Sequence, residues 1–139
     1  MSRDRHAFVT GGSRGIGRAI AWALGQSGLA VSVTYRARED EARRVVDELE
    51  SQGVRAQALR LECGDARSIE EGIAKACAAL GDVDVLVNNA AMIQETPFDR
   101  ISPEDWDRML AVNLRGPFLC SQRVLPAMLE RGFGRIVNI

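Results

Sequence analysis

Apolar positions along this chain switch repeatedly between two spacings. A compact run, Ala7-Phe8-Val9, predicts a buried strand over residues 7–10. Ile16, Ile20, Ala23 and Leu24 then recur at helical intervals and predict a helix over 15–27, with Gly28 suited to end it. Residues 30–35 are rich in β-branched side chains and predict a second strand. Ala42, Val45, Val46 and Leu49 share one face of a charged stretch, so a second helix spans 39–52. A third strand follows over 54–61. Ile69, Ile73, Ala76, Cys77 and Leu80 form a third apolar face, and its start has two candidate caps: Asp65, or Ser68 with Glu71 as a capping box. Residues 83–88 predict a fourth strand centred on Val85-Leu86-Val87, and 90–101 a loop. Ser102-Pro103-Glu104-Asp105 carries a cap, a proline at the first helical position and acids against the helix dipole. A long helix runs from there to about Arg131, with Gly116-Pro117 and Pro126 expected to bend or break it. Residues 135–139 begin a fifth strand.

Strands separated by single helices imply parallel pairing with right-handed crossovers. The expected fold class is α/β: a doubly wound parallel sheet of order 3-2-1-4-5, cut off after strand five. Such a sheet binds its ligand at the carboxyl ends of strands one and four, where the strand order reverses.

The stretch at that point, residues 10–17, reads Thr-Gly-Gly-Ser-Arg-Gly-Ile-Gly. It turns a strand sharply into a helix. Gly11 tolerates backbone angles that a side chain forbids, Gly15 admits a ligand close to the main chain, and Gly17 lets the helix pack tightly beneath. The helix start directs unpaired N–H groups and partial positive charge at the loop, which favours a diphosphate. Gly11, Ser13, Arg14, Gly15, Ile16 and Gly17 are therefore the candidate contacts.

Composition narrows the picture. A chain of 139 residues suits one domain, 1–139, with a core of its own. Apolar residues make up 46% and charged residues 27%, as in folded globular domains. A net charge of −1 gives no bulk attraction to nucleic acid or an anionic membrane, and no apolar run reaches membrane-span length. The opening residues are too polar for a secretory leader. Cys63, Cys77 and Cys120 are odd in number and lack zinc spacing, so a reducing cytoplasm is expected and no metal site is. Seventeen of the basic residues are arginine; Lys75 is the sole lysine and Tyr35 the sole tyrosine.

The glycine loop, the acidic turn Leu61-Glu62-Cys63-Gly64-Asp65, Asn88-Asn89-Ala90-Ala91, Val112-Asn113-Leu114 and residues 134–139 occur in one order. In these motifs the chain resembles the N-terminal part of a short-chain dehydrogenase/reductase, closest to 3-oxoacyl-acyl-carrier-protein reductase and glucose dehydrogenase-like members. The resemblance implies a Rossmann-like fold and hydride transfer between a nicotinamide cofactor and a carbonyl or alcohol carbon. It also implies that Asn89, Ala90 and Ala91 line the cofactor ribose, with Ala91 standing where the family has glycine. Glu62 replaces the usual aspartate at the adenine, with Cys63 beside it as a small wall residue. Asn113 matches the catalytic asparagine, whose main-chain carbonyl holds a relay water.

NAD selection needs a carboxylate at the end of strand two. Tyr35 stands there instead, followed by Arg36, with Arg14 in the glycine loop. Guanidinium groups grip phosphate through paired hydrogen bonds, so NADP(H) is expected over NAD(H), held at its 2′-phosphate by Arg14 and Arg36.

The resemblance places a catalytic serine and a Tyr-x-x-x-Lys pair after strand five. Neither occurs within these 139 residues: the residue four past Tyr35 is Glu39, and Lys75 lies on another helix. The literal chain is expected to lack turnover. The alternatives are an inactive NADP(H)-binding half-domain and a scaffold that keeps only the sheet. An edge at strand five and the long helix are expected to drive homo-oligomer formation.

Overall fold

The computed structural model describes residues 4–139; the polar opening tripeptide lies outside them. Five strands form one parallel sheet of order β3-β2-β1-β4-β5. They are β1 His6–Val9, β2 Ala30–Tyr35, β3 Ala56–Arg60, β4 Val83–Asn88 and β5 Arg135–Asn138. Helices α1 Gly15–Gln26, α2 Glu39–Ser51, α3 Ala66–Leu80, α4 Pro103–Leu110 and α5 Gly116–Arg131 cover its faces, and Phe98–Arg100 forms a single 3-10 turn. The expected topology is the observed one.

Alternation along each strand sorts the core into two layers. Val9, Val31, Val33 and Val87 face α1 and α2, against Ala21, Val45 and Leu49. Phe8, Leu61 and Leu86 face the other side, against Ile69, Ile73, Val124 and Met128. A strand buried on both sides is apolar at successive positions, which is why the β1 and β4 centres read as unbroken apolar runs. Every residue of β5 is exposed.

Three local expectations need correction. The first strand begins at His6, not Ala7, and Thr10 has already left it. His6 is fully buried. Its ring Nδ1 lies 2.7 Å from the Gly81 carbonyl, which can only accept, so Nδ1 carries the proton and Nε2 accepts from the Ser32 hydroxyl at 2.7 Å. Second, Asp65 caps α3, accepting from the Ser68 amide at 3.0 Å. Ser68 is no cap: its hydroxyl accepts from the Glu62 amide at 2.9 Å, and Glu71 pairs with Arg67 instead. Third, Pro126 does not break the long helix; it sits inside α5. The irregularity falls earlier, as a π-turn over Ala111–Arg115. Pro117 has no N–H to give the Asn113 carbonyl four residues back, so the ordinary ladder cannot continue there.

Candidate active site

The carboxyl ends of β1 and β4 meet around Thr10, the residue that locks the glycine loop to the sheet. Its hydroxyl donates to the Val87 carbonyl (3.3 Å) and accepts from the amides of Asn89 and Ala90 (3.0 Å each). The Asn89 amide group donates to the carbonyls of Thr10 and Gly11 at 3.0 and 3.1 Å. From the other side, the Thr34 hydroxyl accepts from the Gly11 amide at 3.1 Å, and the Thr34 carbonyl accepts from the Gly12 amide at 3.0 Å. Seven hydrogen bonds thus fix the first turn of the loop before any ligand arrives. Thr10 and Thr34 are both buried. The sequence alone gives Thr34 no role; its one signal is a second hydroxyl, two residues after Ser32, on the same face of a buried strand.

Gly11 has φ +64° and Gly15 φ +55°, a region closed to most side chains. The two differ in their surroundings. A Cβ on Gly11 would lie 3.0 Å from the Ala90 Cα, whereas one on Gly15 would meet nothing within 4 Å. Gly17 is helical and tightly enclosed: a Cβ there would lie 2.2 Å from the Gly11 carbonyl oxygen and 2.5 Å from Asn89 Nδ2. So Gly17 seats α1 on the loop, and Gly15 keeps the space above the helix start open.

The start of α1 has no side-chain cap and no acid in its first turn. Its leading amides face that open space, with Ile16 64% exposed beside them. Arg14, in the loop, and Arg36, directly after β2, are exposed, and neither guanidinium has a hydrogen-bond or ion-pair partner among the described residues. Their neighbours are committed elsewhere: Arg38 to Glu41 (2.7 Å), Arg18 to Glu48 (2.7 Å), and Arg60 to the Arg36 carbonyl (3.3 Å). An uncapped helix start with the unpaired Arg14 at its N-cap, and a glycine whose missing side chain leaves room, fits a phosphorylated nucleotide.

In the turn after β3, Glu62 is half-buried and Cys63 is 8% exposed. Burial, with help from Glu62, pushes the Cys63 thiol up to about 11, and burial takes that of Cys120 to about 12. Both are protonated packing groups at neutral pH. Ala91 is exposed at the cleft. Ser13 is half-buried within the loop.

Asn113 lies in the π-turn, 21 residues from the partner it holds. Its Oδ1 accepts from the Met92 amide at 2.7 Å and its Nδ2 donates to the Met92 carbonyl at 2.8 Å. One side chain therefore clamps both polar groups of the residue that leads out of β4. Asn88 donates to Asn138 Oδ1 (2.9 Å) and to the Ser121 hydroxyl (3.4 Å), linking the ends of β4 and β5 to α5. Met92 packs on the core, but Ile93 and Phe98 are 82% and 90% exposed and do not pin their loop down. Tyr35 sits at the end of β2, where burial and then Glu39 push its phenol above the ordinary value, so it offers no base at neutral pH.

Known proteins share this fold. The short chain dehydrogenase family profile matches residues 5–139. A 3-oxoacyl-acyl-carrier-protein reductase of Staphylococcus epidermidis is 38% identical over 136 residues, which are 98% of this chain and 56% of that protein. An acetoacetyl-CoA reductase of Shinella zoogloeoides is 40% identical over 136 residues, 98% of this chain and 54% of that protein. A blue fluorescent protein from a metagenomic library, solved in complex with NADPH, superposes with a TM-score of 0.91 at 37% identity, covering 98% of this chain and 55% of its own. The chain thus spans about half the length of the relatives it matches. In sheet order and in sequence over residues 5–139, it belongs to the short chain dehydrogenase family.

Proposed function

We propose that these residues form the NADP(H)-binding half of a ketoreductase-type oxidoreductase. One observation carries the reading: the uncapped α1 start is open above Gly15, with Arg14 at its N-cap and without a partner among the described residues. The α1 amides of Gly15, Ile16 and Gly17, with Ser13, hold the diphosphate. Arg14 and Arg36 hold the 2′-phosphate, which makes NADP(H) the preferred form over NAD(H). Asn89, Ala90 and Ala91 line the ribose, and Glu62 and Cys63 the adenine. When bound, the nicotinamide supplies or accepts the hydride.

Asn113 is the catalytic asparagine in this reading. Clamping Met92 occupies its side chain, Pro117 cannot donate to its main-chain carbonyl, and in this reading that carbonyl holds the water. Hydride transfer to a small-molecule carbonyl, as the names of the reductase relatives suggest, belongs to the whole-length protein. Within the 139 residues the sole tyrosine and sole lysine lie on different elements, β2 and α3. This favours a second reading of the segment by itself, as a dinucleotide-binding module without turnover.

We further propose self-association through α4 and α5 and through β5. Leu110, Leu114 and Phe118 line an exposed groove of about 670 Å³ along the helices. No helix among the described residues is long and apolar enough to cross a membrane, and the three cysteines are free, which suits a reducing cytoplasm.

Fluorescence titration with NADPH and NADH tests the cofactor reading. Arg36→Asp should weaken NADPH binding at least tenfold, the worth of one charge-assisted contact of about 1.4 kcal/mol, while leaving NADH nearly unchanged. An unaltered NADPH preference in that variant would remove Arg36 from the site.

A further inference from the structure

The two halves of this site are bolted together at one place. Arg115, the last residue of the π-turn, donates from Nη2 to the Gly64 carbonyl at 2.9 Å. The next residue, Gly116, is buried so closely against the same loop that a Cβ would lie 2.5 Å from the Cys63 carbonyl oxygen. A Cβ on Gly64 would in turn lie 3.3 Å from Val112 Cγ2. So the loop 62–64 rests on the π-turn, while Asn113, from the middle of that turn, grips Met92. Contacts to both loops leave from five consecutive residues, 112–116, that span the π-turn and the first residue of α5.

We propose that Arg115 and Gly116 form a coupling joint: occupancy of the nucleotide loop 62–64 is transmitted through the π-turn to the Asn113–Met92 clamp and so orders the loop 90–101. Arg115 is then a positioning residue that touches neither cofactor nor substrate. The inference rests on the NADP(H) reading above. The route is short and each step is a named contact. A π-turn lacks the regular helical ladder and yields more readily than the helices on either side. The responding loop has the means to move, since Ile93 and Phe98 make no core contact to hold it. Linkage makes the effect reciprocal: whatever holds the loop 90–101 must tighten nucleotide binding by the same factor.

The Met92 amide reports the clamp directly, because Asn113 Oδ1 is its acceptor. Hydrogen exchange of the 139-residue chain, with and without saturating NADPH, is measured at residues 11–17 and 92–101. In the unaltered chain NADPH slows exchange in both, at 92–101 by roughly 5- to 10-fold, the lower part of the usual range for coupled sites. Arg115→Lys retains a donor for Gly64 and keeps the effect. Arg115→Met and, independently, Gly116→Ala still show slowing at 11–17 but lose most of it at 92–101. Gly116 is buried and leaves the outer groove intact, so agreement between the two variants separates the joint from self-association. Full NADPH-dependent slowing at 92–101 in Arg115→Met overturns the proposal. So does faster exchange there by the same factor with and without NADPH, the mark of a merely structural contact. Absence of slowing at 11–17 in the unaltered chain overturns the dinucleotide reading itself, and the joint with it.

Discussion

Gly15 and Gly17, two residues apart, should fail in opposite ways when each becomes alanine. In Gly17→Ala the new methyl falls 2.2 Å from the Gly11 carbonyl oxygen and 2.5 Å from Asn89 Nδ2, neither of which can swing aside freely. Relief requires α1 to lift from the loop, or Asn89 to give up its bonds to Thr10 and Gly11. Overpacking of this kind costs about 2 kcal/mol. Two lost hydrogen bonds add about 2 kcal/mol. Alanine's better helix propensity returns about 1 kcal/mol. The net is about 3 kcal/mol, a fall in melting temperature on the order of 10 °C for a chain of this size. Gly15→Ala meets no neighbour and suffers only its left-handed backbone, about 1 kcal/mol. Its methyl, however, stands in the space where the diphosphate is proposed to lie, and NADPH affinity should fall more than tenfold. Circular-dichroism melts and NADPH titrations on both variants give four numbers. A Gly17→Ala protein as stable as the parent refutes the packing argument, and a Gly15→Ala protein that binds NADPH normally refutes the cradle.

Two further expectations concern the fold. Asp65→Ala should destabilise the chain by about 1 kcal/mol through loss of the α3 cap, read as a lower urea midpoint, whereas Glu71→Ala, outside any capping box, should change it by less than about 0.5 kcal/mol. Stability should also fall at alkaline pH. The thiols of Cys63 and Cys120 are raised to about 11 and about 12 in the fold, so the unfolded chain releases these protons first as pH climbs past its ordinary thiol value near 9.0. The folded state then holds more protons, and stability drops by about 2 kcal/mol between pH 9 and pH 10 for the pair. Urea midpoints across that interval should show the slope roughly halved in Cys120→Ala; an undiminished slope assigns the effect to other groups.

The sheet was legible because its signals are local. Apolar runs at 7–9 and 85–87 and a β-branched one at 30–35, separated by helical faces, dictate strand, helix and crossover without any knowledge of distant contacts. Ser102 followed by Pro103 marked a helix start that the structure keeps, with Ser102 accepting from the Asp105 amide at 3.0 Å. The glycine loop was equally plain, since four glycines within the eight residues where a strand turns into a helix have few other uses. Bonds that close across the fold were not legible. Thr10 and Asn89 are 79 positions apart, and Asn113 and Met92 are 21 apart. Nothing in the spacing announces that one threonine hydroxyl will serve two amides of another strand's end. The competition at α3 was undecidable for a related reason. Asp65 and Ser68 are both good caps, and the choice was settled by Glu62, whose amide needed the Ser68 hydroxyl. The long helix misled because two proline positions were visible, and only Pro117 follows a segment already under demand from Asn113 and Arg115.

The buried histidine has a mechanical consequence at the far end of β1. His6 ties that end to Gly81 and Ser32, and Gln57 donates to the same Ser32 hydroxyl at 2.8 Å, so a polar belt spans three strands and the turn ahead of a fourth. Thr10 pins the other end. Apolar contacts alone would let a parallel strand slide along its neighbours at modest cost, but a strand pegged at both tips has only one length that fits. The launch point of the glycine loop is thereby indexed to the sheet like a ruler clamped at two marks: an inserted or deleted residue between His6 and Thr10 has nowhere to be absorbed, whereas the exposed loop around Ile93 and Phe98 can change length without disturbing either peg.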